Sequence, residues 1–122
     1  MNTILWIIQA LLAVFFIMPG LGKITGSKEK HVADGHLKSN NSIVPIRILG
    51  VLEWLGCIGI IIPWLIGIAP ILTPMAAAGF CLIMIAGMVV HTKKQEYKML
   101  PMLIVVFLLS AVVVYFRFAA LV

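Results

Sequence analysis

Within "GVLEWLGCIGIIIP", Gly50 to Pro63, a single carboxylate, Glu53, stands in an apolar run rich in small residues. A charged side chain at the middle of a bilayer costs at least about 2.5–3.5 kcal/mol, so such an acid is a functional candidate by default. It can accept a hydrogen bond from a polar group, or titrate, inside a cavity. The alternative is a protonated or hydrogen-bonded side chain that only locks helices together, and the sequence leaves both open. Helical spacing places Gly50, Gly56 and Cys57 beside it, a small-residue face suited to another helix or a ligand. Few cations can answer it. Arg47 begins the same segment but lies six residues earlier, about 120° around a helix, and can snorkel to the interface as a topology charge. Lys23 ends the first apolar block. His91 ends the third, on a face shared with Phe80, Ile83 and Gly87. His91 could reach the same region as Lys23, or be an interfacial histidine without a ligand.

Other constellations are weak. Cys57 and Cys81 sit in apolar blocks with no C-x-x-C spacing and read as small packing residues rather than a disulfide. His31 and His36 with Asp34, in "KHVADGHLK", lack a fourth ligand and lie among lysines, so no metal site is expected. The amide of Gln9 is common interhelical glue. Neither a phosphate loop nor a Ser/His/Asp set is present, and the chain is expected to have no catalytic activity by itself.

These residues must be positioned by membrane-spanning helices. Hydrophobic residues make up 63% of the 122 and charged ones 11%, far from the balance of a soluble domain. The apolar residues fall in blocks of about twenty, the length that crosses a hydrocarbon core as a helix. They are predicted to form four spans, at about 4–21, 43–65, 71–90 and 100–121, in one domain over 1–122. The expected fold class is all-α, an up-and-down four-helix bundle. Nothing resembling a cleavage site follows the first block, so it reads as an uncleaved span.

Basic residues concentrate in loops 22–42 (Lys23, Lys28, Lys30, Lys38) and 91–99 (Lys93, Lys94, Lys98). The connection "IGIAPILTP" between them carries no charge. The positive-inside rule puts the basic loops in the cytoplasm and both termini outside, with Trp6, Trp64 and Tyr115 near the outer interface. The net charge of +5 is thus a topology signal rather than a nucleic-acid footprint, and no nucleic acid is expected as a partner. Small residues (Gly50, Gly56 and Gly59; Ala76 to Gly79; Ala86 and Gly87) should bring the second and third spans close.

Four stretches, in order, resemble the DoxX-like family of small four-span membrane proteins. They are "PGLGKITG" closing the first span, "GVLEWLGCIGIIIP" with its glutamate, "AAAGFCLIMIAGMVVHTKKQE" ending in histidine and basic residues, and "VYFRFA" with a late arginine. The resemblance marks Lys23, Glu53, His91 and Arg117 as candidate ligand- or partner-binding positions, with Arg47 beside them on residue chemistry. It also implies functions that do not converge: membrane components associated with thiosulfate and quinol oxidation, partners of thiol and oxidative-stress proteins, and membrane chaperones.

The expectation that follows is a non-catalytic accessory or binding subunit in a cell membrane, most simply a bacterial inner membrane. It would hold a lipid, a quinone or a partner helix near Glu53. The alternatives are a component of a quinone/thiol redox system and a small proton-coupled transporter. No cofactor is dictated beyond that quinone or lipid. A narrow four-helix bundle also suggests a homodimer, or a membrane or redox protein as partner.

Overall fold

The computed structural model describes residues 2–33 and 39–122, and these are all-helical apart from their turns. The elements are α1 (Asn2–Thr25), a short α2 (Lys28–Ala33), α3 (Val44–Ile66), α4 (Leu72–Lys93), a 3-10 turn (Tyr97–Met99) and α5 (Leu100–Leu121). Four stretches, α1, α3, α4 and the 3-10 turn continued by α5, are long and apolar enough to cross a membrane, in agreement with the four predicted spans. Lys38, His36 and Asp34 lie outside the described residues.

Local chemistry sets the helix boundaries. α3 and α5 each carry a proline in the first turn, where the missing N–H costs nothing. α3 ends on Gly67, whose φ of 72° makes a left-handed cap, with its N–H donated to Pro63 O. α1 runs four residues beyond the predicted end at Leu21 because its last carbonyls find donors. The Arg47 guanidinium donates through Nη1 to Lys23 O (3.2 Å) and to Ile24 O. α2 was not expected, although its signal is in the sequence: Ser27 Oγ accepts the Lys30 N–H at 3.1 Å, an N-cap on "SKEK".

The four long helices form a closed square. α1 touches α3 and α5, α4 touches α3 and α5, and neither diagonal pair makes backbone-level contact. The diagonal α1–α4 is bridged by side chains instead, since Phe16 stacks on Phe80 at 4.0 Å between ring centroids and 12° between planes. Leu12, Ile60, Ala77 and Val113 complete this centre. The small residues divide more widely than predicted. Gly56 and Gly59 face Phe80 and Ala76 of α4, but Gly50 packs against α1 and Gly87 against Leu103 of α5.

The outside of the bundle is as apolar as its centre, and a few polar groups are buried within it. Gln9, Glu53, Thr73, Ser110 and Arg117 are buried, while Ile4, Leu11, Val14, Leu55, Leu82, Val105 and Leu108 lie on the outside. That distribution is stable where the surrounding solvent is hydrocarbon, and backbone groups paired within helices allow it. The chain is therefore a multi-pass membrane protein, with the first residues of α1 and the last turns of α5 at one end of the bundle and the basic loops at the other.

Candidate functional site

Two polar clusters are built into the bundle, one toward each end. The first depends on how closely α1 and α3 cross. A Cβ on Gly50 would stand 2.7 Å from Lys23 Cβ and 2.9 Å from Gly20 O, and one on Gly20 would stand 2.5 Å from Trp54 Cδ1. Only glycine permits this approach. Trp54 fixes the crossing by donating its indole N–H to Ile17 O at 3.0 Å. Lys23, one turn beyond Gly20, and Glu53, one turn after Gly50, are thereby brought together. Lys23 Nζ donates to Glu53 Oε1 at 2.8 Å.

The pair is asymmetric. The Glu53 side chain is 2% exposed and that of Lys23 27%, so the lysine is partly accessible while the carboxylate stays inside. Glu53 Oε2 is buried and has no hydrogen-bond partner. Lys23 spends one of its three N–H donors on the pair. Side by side, the two residues present an unused acceptor and unused donors, a combination that can grip a hydroxyl, an ammonium or a carbonyl.

The other predicted site residues go elsewhere. Arg47 does not pair with Glu53; it caps the carbonyl end of α1, where a cation also meets the negative end of the helix dipole favourably. His91 does not join Lys23 or Glu53 either. Its Nδ1 lies 3.7 Å from Glu96 Oε2, within the loop that follows its own helix. Cys57 and Cys81 are free thiols directed to different neighbours, Cys57 Sγ at 3.5 Å from Ala13 O and Cys81 Sγ at 3.9 Å from Phe107 O. Among the described residues no group of three or more His, Cys, Asp or Glu is placed to hold a metal.

Arg117 anchors the second cluster, at the termini end. Its Nε donates to Gln9 Oε1 at 2.7 Å and its Nη1 to Asn2 Oδ1 at 2.8 Å. The guanidinium lies 4.4 Å from the ring centroid of Trp64 and 5.4 Å from that of Trp6, within cation–π range of both. Gln9 in turn donates through Nε2 to Ile60 O at 2.6 Å, tying α1 and α5 to α3. By sequence alone Gln9 is interhelical glue and the tryptophans are interface residues. That they gather around Arg117 is a consequence of tertiary packing, since Arg117 and Asn2 are 115 residues apart.

Two grooves open on the bundle's flanks. One of about 570 Å³ runs between α4 and α5 past Cys81, Leu82, Ala111 and Tyr115, and one of about 220 Å³ lies on α3 at Arg47, Ile48, Val51 and Leu52. Neither is lined by Lys23, Glu53 or Arg117.

A family model described as the DoxX-like family matches residues 7–113. No curated protein and no solved structure gives a significant match. The matched stretch takes in Lys23, Arg47, Glu53 and His91, and stops short of Arg117.

Proposed function

The chain belongs to the DoxX-like family of membrane proteins, and from that premise we propose that it is a non-catalytic binding or accessory subunit. The Lys23–Glu53 pair holds the polar group of a lipid, of a quinone or quinol, or of a partner helix. The basic loops face the cytoplasm, so the pair opens toward the inner leaflet of a bacterial inner membrane.

The observation that carries this reading is Glu53 Oε2, a buried carboxylate oxygen without a donor. A buried polar atom left unsatisfied costs about 1–3 kcal/mol, more for a charged group, and in hydrocarbon no solvent supplies the missing bond. An amphiphile that inserts a hydroxyl or ammonium there removes that cost. A quinol or lipid hydroxyl suits Oε2, whereas a quinone carbonyl suits the remaining N–H donors of Lys23.

Mass spectrometry of lipids and quinones that co-purify in mild detergent tests the proposal. Glu53→Gln keeps the side chain's volume and removes its charge, and it should lose the bound amphiphile while the bundle remains folded. A second reading is favoured by the tight Gly20–Gly50 crossing and by the absence of Glu53 from both grooves. In it the pair is a lock between α1 and α3, and Glu53→Gln leaves the co-purifying molecules unchanged. A redox role would further require a stoichiometric quinone that is reduced and reoxidised in the protein. A transport role would require proton flux in proteoliposomes that Glu53→Gln abolishes.

A further inference from the structure

At the termini end, we propose that the Arg117 cluster is a second binding site, one that takes an oxyanion, phosphate or carboxylate, independently of what Glu53 holds. Arg117 is 3% exposed, and both of its acceptors, Gln9 Oε1 and Asn2 Oδ1, are neutral amides. Its Nη2, with two N–H bonds, is buried and has no acceptor. The charge is therefore solvated in part and paired with no described carboxylate.

No described acidic side chain is available to it. Glu53 pairs with Lys23, Glu96 lies beside His91, and Glu29 belongs to α2 in the loop at the opposite end. No acidic residue stands in the first turn of α1 or α4, the two helices that begin at this end. The helix dipoles do not decide the matter, because α3 and α5 end where α1 and α4 begin and their partial charges oppose one another.

What the cluster lacks is what an oxyanion provides. A guanidinium presents a planar fork that matches carboxylate and phosphate oxygens, and such charge-assisted bonds are roughly twice as strong as neutral ones. The Trp64 and Trp6 rings take up the face of the guanidinium, leaving its nitrogen edge as the contact for an anion. Asn2 occupies Nη1 on that edge, beside the unpaired Nη2, and is itself exposed, so an anion enters where the Asn2 side chain gives way. An anionic phospholipid headgroup at the bilayer surface and a small soluble anion share this chemistry.

Thermal unfolding of the full chain in a neutral detergent, titrated with phosphatidylglycerol, with inorganic phosphate and with diacylglycerol, tests the site. Diacylglycerol has lipid tails and no oxyanion. The wild type should be stabilised by phosphatidylglycerol alone if the headgroup is the source, or by phosphate as well if a soluble anion is. Asn2→Asp supplies an internal carboxylate at the same contact, and should raise the starting Tm while weakening the anion by about tenfold or more. Arg117→Lys keeps the charge without the fork and should weaken it by a similar factor. An equal response to diacylglycerol, no response to either anion, or an anion response unchanged in both variants would overturn the proposal.

Discussion

Glu53 and Arg117 solve the problem of a membrane-embedded charge in different ways. Glu53 has a formal counter-ion, Lys23 at 2.8 Å, and an unused oxygen. Arg117 has two amide acceptors, two indole faces and no counter-ion among the described residues. For the first, the cost of breaking the pair should exceed its net worth, because one partner is left buried and alone. Lys23→Met should destabilise the bundle by about 1–3 kcal/mol, less than for a fully buried pair because Lys23 is partly exposed. The double variant Lys23→Met, Glu53→Leu should recover most of that loss. Unfolding in mixed micelles measures both, and additive losses would mean that the two side chains are not coupled.

Pro63 inside α3 creates the bundle's second kind of polar demand, and this one is met by neighbouring elements. Pro63 has no N–H, so the carbonyl four residues earlier, Gly59 O, loses its helical donor. Thr73 of α4 supplies one through Oγ1 at 3.0 Å. Gln9 of α1 serves the adjacent carbonyl, Ile60 O, at 2.6 Å. The interruption in α3 thus becomes a fastening point for both helices beside it. Thr73→Val, which conserves shape, should cost about 0.6–2 kcal/mol. In a Pro63→Ala background the restored amide can serve Gly59 O, and the same substitution should then cost close to nothing. An undiminished cost in that background would show that the hydroxyl does not act through Gly59 O.

At the scale of the molecule, the bundle is apolar outside and polar at selected points inside, and its charges divide by end. Lysines gather at the loop end with α2 and the 3-10 turn; the termini end holds Arg117 alone of the described Lys and Arg side chains. If the basic loops are cytoplasmic, Ile68→Cys in the uncharged α3–α4 turn should react with a membrane-impermeant maleimide added to intact cells. Ser27→Cys before α2 should react only after permeabilisation. The opposite pattern would reverse the orientation and move the Lys23–Glu53 pair to the outer leaflet.

The sequence by itself determined the number and the approximate limits of the spans, because a hydrocarbon core demands a run of apolar residues of nearly fixed length. It also singled out Glu53, since an acid in such a run is conspicuous without any structure. What it could not assign was the partner. Lys23, Arg47 and His91 are all candidates along the chain, and the choice falls to Lys23 because Gly20 and Gly50 let α1 and α3 cross one turn from each residue. Arg47 instead caps the last carbonyls of α1, and His91 lies beside Glu96 in the loop after its own helix. The Arg117 cluster was least legible, because Asn2, Gln9, Trp64 and Arg117 come from three helices and no local spacing connects them. Local pattern fixes which segments enter the membrane, whereas the rotation and crossing of helices, set by packing of side chains far apart in sequence, decides which polar groups meet.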